Sequence, residues 1–374
     1  MLRIKLIFVC GVYRRRGAQE CSQGKEVGMA TAESSKVAAV VILAAGAGTR
    51  MKTQLPKPLH VIAGRTLLGH AIAAARGVNP DYVVVVVRHE GEKVARKAME
   101  IDPEVTIAWQ DDVAGTGRAL WCGLQQLPAD LSGRILVMAG DTPLLDAQVL
   151  RELAVAGDGV ATVATTFVKD PTGYGRVLRD ENGVIRAIVE HKDADEVQLS
   201  IREVNTSTYC FDLPFLRHSL SELSTDNAQG EMYLTDVVTA AYQSGMSDTG
   251  YVVADSMKVE GANDLVQLAD LAAEMNRRIC ERWMRLGAKI VDPRTTHIDA
   301  DVVIEPDTVI EPGTDVLGHS VVKSGAHIGP GLFQDTVIES GAVAQLVAVR
   351  GGHVGAGDVL SPFTAYGYSR SDVQ

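Results

Sequence analysis

Residues 37–60 read VAAVVIL AAGAGTRMKTQLPKPLH. An unbroken apolar run, Val37–Leu43, ends in a loop with Gly46, Gly48, Arg50 and Lys57. Apolar residues on both faces of a strand mean burial from both sides, as in a parallel sheet covered by helices. The carboxyl end of such a strand is where ligands of α/β sheets bind. Glycines let backbone approach an anion closely. Arg50 supplies a fork of donors and Lys57, stiffened between Pro56 and Pro58, a point charge. The loop therefore points to phosphate. A third glycine at position 51 would complete a dinucleotide fingerprint, but Met51 stands there, and the Gly-Lys-Ser/Thr of a Walker loop is missing.

Further strand candidates are Tyr82–Val87, Val105–Trp109, Arg134–Met138 and Val160–Phe167, with helix patterns over Leu67–Arg76, Glu92–Glu100 and Gly117–Gln126. The alternation predicts an α/β, Rossmann-like domain over 37–263 with a mostly parallel sheet. Asp264–Leu286 predicts one long helix, with Leu265, Leu268, Ala272, Met275, Ile279, Trp283 and Leu286 on one face; it serves as a linker over 264–290. From Ile298 the pattern changes to IDADVV, IEPDTV, IEPGTDV and later IGPGLF, IESGAV and VGAGDV. An aliphatic residue about every six residues is the hexapeptide repeat of a β-helix, expected over 291–374 with slips near Val316 and between Val343 and Val354. Stacked coils leave a last edge open, so self-association is expected.

The 374 residues suffice for two domains, and a net charge of −11 argues against nucleic-acid binding. No apolar stretch reaches membrane-spanning length. Five cysteines without a C-x-x-C pair suit free thiols in a reducing cytoplasm. Residues 1–36 carry a short apolar run between basic residues without a small-residue cleavage site, and read as a disordered extension, with Met29 a possible true start.

Other stretches carry chemistry. In MAGDTPLL, Asp141 directly follows a buried strand, where a carboxylate needs a cation; Mg2+ shared with substrate phosphates is the natural one, with Asn263 of VEGAND as a neutral second ligand. An N-cap role for Asp141 is the plain alternative. In QDDVAGTGRAL, Gly115 and Thr116 open a helix and Gln110 offers paired hydrogen bonds to a base edge. DPTGYGRV, IVEHKDA and EVNTS read as compact polar loops in which Gly175, Glu190 and Asn205 could meet sugar hydroxyls.

In order, LAAGAGTRM…PKPLH, GTGRA, GDTPLL, DPTGYGR, EHKDA, NT, NAQGEMYLTD and VEGAN resemble the sugar-1-phosphate nucleotidylyltransferases. The resemblance is strongest to the bacterial N-acetylglucosamine-1-phosphate uridylyltransferases, whose second half is a left-handed β-helical acetyltransferase. It covers about residues 37–290 strongly and 291–374 weakly. It implies that a sugar 1-phosphate and a nucleoside triphosphate are the substrates, with Mg2+ as cofactor. It implies that Arg50 and Lys57 face phosphate oxygens and that Asp141 and Asn263 hold the metal. Gln110, Gly115 and Thr116 would meet the base beside the backbone of Leu43, Ala44 and Gly46. Gly175, Glu190, Asn205 and Thr235 would hold the sugar phosphate, with Tyr233 beside them. Arg118 replaces the family's usual His, Ala139 an aromatic residue and Ser207 a Gly, so GTP, ATP or dTTP and another sugar or cyclitol phosphate remain open. So does a non-catalytic nucleotide-binding regulatory protein. The sequence stops about where the acetyltransferase residues would begin, which predicts no acetyl transfer and an oligomerising role for the repeats. A homo-oligomer, a trimer by the resemblance, is expected.

Overall fold

The computed structural model describes residues 36–363 and 365–367. The extension expected over 1–36 thus lies, apart from Lys36, outside the described residues, as does the end of the chain at Gln374.

Nine strands form one sheet: β1 (Val37–Leu43), β2 (Tyr82–Val87), β3 (Thr106–Trp109), β4 (Arg134–Ala139), β5 (Ala161–Phe167), β6 (Arg176–Arg179), β7 (Ile185–Val189), β8 (Glu203–Asp212) and β9 (Tyr251–Val252). The order along the sheet is β9-β5-β8-β4-β1-β2-β3, with the β6-β7 hairpin attached through β8. Val40, Val41 and Ile42 are fully buried. Each such side chain contributes about 1.5–3 kcal/mol of transfer free energy. The helices Leu67–Arg76, Gly91–Ile101 and Thr116–Leu124 cover this sheet within one or two residues of their sequence-predicted spans.

From β1 the sheet grows towards β2 on one side and β4 on the other, both parallel to it. Leu43 is in register with Ala139, so the loops after β1 and β4 start side by side at a point where the strand order reverses.

Two readings of the polar stretches need correction. EVNTS is not a loop but the start of β8, which runs antiparallel between β4 and β5. Its buried hydroxyls are satisfied, Thr206 Oγ1 donating to Ala164 O at 2.7 Å and Thr208 Oγ1 to Thr206 O at 3.4 Å. Pairing on both sides outweighs a composition that suggests a turn. The strand breaks register between Asn205 and Tyr209, and Ser207 there has a φ of +56°. DPTGYGRV likewise runs from a loop into β6 at Arg176.

The long helix spans Leu265–Arg285, with Asp264 capping it by accepting from Val266 N and Gln267 N, both at 2.9 Å. Its buried face is Leu271, Met275, Ile279, Cys280 and Trp283, whereas Leu265 and Leu286 at its ends are exposed. This face joins Met51, Ile62 and Leu67, from beside the nine-stranded sheet, to the β-helix interior in one apolar cluster. Asn276 ties the helix to the first coil, donating to Thr296 O at 2.8 Å and accepting from Ile298 N at 3.0 Å. On the outer side, Arg277 and Arg278 hold the Glu274 carboxyl down to about 2. A depressed carboxyl pKa stabilises above its unfolded value and loses that contribution as pH falls through the folded one. Glu274→Gln is expected to cost about 1 kcal/mol at pH 7, since Arg277 is well exposed. The difference should shrink below about pH 4.5; an unchanged gap in urea midpoints between pH 7 and pH 3 would contradict this.

The repeats form a left-handed β-helix with three parallel sheets. Ile298, Ile304, Ile310, Val316, Val322 and Ile328 point inward at intervals of six, so no slip occurs at Val316. There Thr314 and Val316 both face inward from a four-residue strand, which disguises the repeat in the sequence. The interval shortens to five at Phe333 and Ile338, and again at Val349 and Val354, the second within the segment expected to slip. Buried hydroxyls turn corners: Thr308, Thr314 and Ser320 each donate to the carbonyl three residues back, at 2.8, 2.6 and 2.7 Å.

Candidate active site

The loops after β1 and β4 open into a cleft of about 560 Å³. It brings together Leu43, Ala44, Gly46, Arg50, Lys57, Gln110, Gly115, Thr116, Asp141 and Asn263, far apart in the chain. Gly48 has a φ of +58°, and a Cβ there would lie 2.7 Å from Lys57 Cβ. Only glycine lets the loop lie flat against Lys57. Gly46 needs no special φ, and a Cβ there would meet nothing of the protein within 4 Å. Its smallness matters only to whatever enters the cleft.

Lys57 begins a short 3-10 helix, Lys57–Leu59, with Pro58 in its first turn. Its ammonium forms an ion pair with Asp141 and donates to Asn263 Oδ1 at 3.1 Å. Arg50 Nη2 donates to the same oxygen at 2.7 Å. Asp141 therefore has its cation and is not an N-cap; that part falls to Asp146, which accepts from Val149 N at 3.0 Å. Gly261 lies against Asp141, since a Cβ there would be 3.2 Å from its Oδ2, and Ala262 N donates to Asp141 O at 3.1 Å. The Asp141 and Asn263 oxygens converge on one positive charge. Two hard oxygen donors suit a hard divalent cation that keeps its other positions for phosphate and water. Among the described residues no cluster of three His, Cys, Asp or Glu side chains forms a fuller cage.

On the other wall, Gln110 spends its amide N–H bonds on Val113 O at 2.8 Å and Gly115 O at 3.2 Å. Its carbonyl oxygen is left to accept from a base, so the pair of base hydrogen bonds expected of it reduces to one. Thr116 Oγ1 accepts from Leu234 N at 3.2 Å, so the hydroxyl holds a neighbouring loop as well as facing the cleft. Gly115 has a φ of +112°, and a Cβ would stand 2.3 Å from Met232 O. Met232 N donates to Ala114 O at 2.9 Å and Met232 O accepts from Gly117 N at 2.8 Å, locking the base-side loop. Gly115→Ala is expected to cost about 3 kcal/mol through strain and clash and to raise KM for the triphosphate; a wild-type melting temperature would refute it. Arg118 grips Asp111 through Nε at 3.1 and 3.0 Å, stiffening this loop from outside.

Gly175, Glu190, Asn205, Tyr233 and Thr235 do not line this cleft but form a neighbouring group. Asn205 N donates to Gly175 O at 2.9 Å, and a Cβ on Gly175 would lie 3.6 Å from Glu190 Oε2. Thr235 Oγ1 donates to Glu190 Oε1 at 3.4 Å. Burial raises the Glu190 carboxyl above its ordinary range, against that hydroxyl. Asn205 Nδ2 donates to Tyr209 OH at 2.7 Å, while Tyr233 OH donates to Asp193 Oδ2 at 3.1 Å. Burial raises the Tyr174 phenol, with Glu260 and Asp141 adding to the rise and Arg50 opposing it.

Sequence reasoning missed Arg88 and His89, which line the cleft just beyond β2. The rule that singled out Arg50, a residue past the carboxyl end of a parallel strand, would have found them. Ala139 and Ser207, the departures from the family pattern, both line the cleft as well.

Residues 40–255 match the family described as MobA-like NTP transferase domain. The bifunctional protein GlmU of Kineococcus radiotolerans is 48% identical over 338 residues, covering 89% of this chain and 68% of the relative. The bifunctional protein GlmU of Paenarthrobacter aurescens is 47% identical over 87% of this chain and 67% of the relative. That of Bifidobacterium longum is 44% identical over 88% and 72%.

Proposed function

The chain belongs to the MobA-like NTP transferase family and is a sugar-phosphate nucleotidyltransferase; from that premise we propose that it makes UDP-N-acetylglucosamine and pyrophosphate from UTP and N-acetylglucosamine 1-phosphate. The observation that carries the reading is the convergence of Arg50, Lys57, Asp141 and Asn263 at the ends of β1 and β4, with Gln110 on the opposite wall.

A phosphate oxygen of the sugar 1-phosphate attacks the α-phosphorus in line. The new O–P bond forms as the bond to the β-phosphate oxygen breaks, and pyrophosphate takes the electron pair. The nucleophile is already an anion, so no general base is needed, and catalysis is positioning plus charge stabilisation. Arg50 and Lys57 neutralise the departing phosphates. Gln110 Oε1 accepts from a pyrimidine N3–H, and Gly46 leaves room for a phosphate beside the backbone. Gly175, Glu190, Asn205 and Thr235 hold the sugar, with Tyr233 beside them. Mg2+, held by Asp141 and Asn263, would add positive charge on the phosphates when bound.

A second reading keeps the chemistry and changes the base or sugar. Ala139 and the Ser207 hydroxyl on the cleft wall favour it. Pyrophosphate release across the nucleoside triphosphates and a panel of sugar 1-phosphates, with Mg2+, separates the two. Release with UTP and N-acetylglucosamine 1-phosphate supports the first, and release only with another pair replaces it. Absence of release from folded protein that binds nucleotide would point to a regulatory protein instead.

The stacked coils support self-association, with three copies expected, which light scattering would test. The unpaired Cys122, Cys210 and Cys280 suit the cytoplasm. Among the described residues no helix is long and apolar enough to cross a membrane.

A further inference from the structure

One cation of the cleft has no task in the reaction described above. Arg88 lines the cleft just past β2 and is half-buried, so it is open to whatever enters. Arg50 and Lys57 both meet Asn263, and Lys57 also pairs with Asp141. Arg88 has no carboxylate partner among the described residues. Its Nη2 donates to Asp112 O at 3.1 Å, and its other guanidinium donors are not engaged there. The neighbouring carboxylate, Asp111, is gripped by Arg118 instead. Arg88 is therefore tethered to the base-side loop with most of its fork of donors still to spend.

It also stands beside Gln110. Val87 and Trp109 are in register across the parallel strands β2 and β3, and Gln110 N donates to Val87 O at 3.0 Å. Neighbouring strands lie about 4.8 Å apart. Val86 and Ala108, also in register, belong to the same apolar cluster as Leu120 and Leu124 of the helix Thr116–Leu124. Side chains alternate along a strand, so Arg88 and Gln110 leave the sheet on the face of that helix, which Gly115 caps. The Gly115 N–H has no acceptor among the described residues. Gln110 can only accept, because Val113 O and Gly115 O fix which end of its amide is the nitrogen. The wall thus presents a donor, an acceptor and a donor: Gly115 N–H, Gln110 Oε1 and the Arg88 guanidinium. Its complement is an acceptor–donor–acceptor edge, the imide of uracil or thymine.

We propose that Arg88 is a base-specificity residue that donates to the C2 carbonyl oxygen of a pyrimidine imide. In the order of the sheet β2 lies between the phosphate-facing loop after β1 and Gln110 after β3. Arg88 therefore meets the carbonyl next to the ribose, and Gly115 the one at C4. Cytosine would set its amino group against the Gly115 N–H and its bare ring nitrogen against Gln110 Oε1. Guanine would set its 2-amino group against Arg88, and adenine offers no acceptor there. A site built of such groups rejects a base that leaves them unpaired. The assignment deepens the function proposed above and rests on it, since it takes the base to lie on Gln110.

The test is calorimetric titration of the full chain with UTP, 2-thio-UTP and 4-thio-UTP, because sulfur accepts hydrogen bonds poorly. Arg88→Met keeps the length of the stem and removes the donors. It should weaken UTP binding about tenfold to a hundredfold, the range for a hydrogen bond from a charged group. In the wild type both thio analogues should bind more weakly than UTP. In Arg88→Met the 2-thio penalty should vanish while the 4-thio penalty persists. A thermal melt like the wild type's would show that the variant is folded. Wild-type binding of 2-thio-UTP as tight as that of UTP would overturn the proposal without any variant. So would a 2-thio penalty that survives in Arg88→Met, even with UTP weakened, since Arg88 would then serve phosphate or ribose. Unchanged UTP affinity in Arg88→Met would overturn it as well. All three results leave the proposed function standing, whereas wild-type protein that prefers GTP or ATP to UTP would overturn both.

Discussion

Asp141→Asn is expected to lower kcat for pyrophosphate release by about a thousandfold, with the fold intact. Loss of one preorganised electrostatic contact at a phosphoryl centre typically costs 10²–10³-fold, and here the lost charge also belongs to one of the two proposed metal ligands. The carboxamide keeps the shape of the side chain, so packing against Gly261 survives. Lys57 retains Asn263 Oδ1 at 3.1 Å, so the melting temperature should move little. Raising Mg2+ should recover part of the rate if the defect is metal affinity. A kcat within tenfold of wild type at ordinary Mg2+ would remove Asp141 from the mechanism.

Arg50→Ala is expected to lower kcat by about 10²–10³-fold while raising KM for the triphosphate only modestly. Arg50 is exposed, and its side-chain hydrogen bond is to Asn263 Oδ1 at 2.7 Å. Removing it breaks no buried contact, so a rate loss could not be blamed on misfolding. An interaction made only as charge builds on the leaving pyrophosphate lowers kcat and kcat/KM together. If KM rises and kcat stays, Arg50 binds ground state and transition state alike. If neither moves, the cleft binds nucleotide without turning it over. Arg50→Lys separates charge from geometry, because lysine restores the charge but not the fork of donors.

The outline of the fold was legible because its strands are buried on both faces. Continuous valine and isoleucine runs leave no other reading, and β1 and β2 fall where the sequence places them. The cations of the first loop were legible for the same reason, since they follow such a run directly. β8 was not, because Asn205, Thr206, Ser207 and Thr208 look like a turn, and only the pairing of the residues on either side of them, Glu203–Asn205 and Tyr209–Phe211, makes the segment a strand. The buried face of the long helix was legible in its middle, at Met275, Ile279 and Trp283. It failed at Leu265 and Leu286, which no element among the described residues covers.

Local sequence determined the elements, the phosphate-facing loop and the stacked repeats, because hydrophobic period, glycine placement and charge act over a few residues. Tertiary structure alone decided that Asn263 meets Arg50 and Lys57 across more than two hundred residues of chain. It also decided that Gln110 has already spent its donors and that Thr116 is shared with Leu234. A side chain's remaining hydrogen-bonding capacity depends on every neighbour that packing brings to it, and those neighbours are not written next to it in the chain.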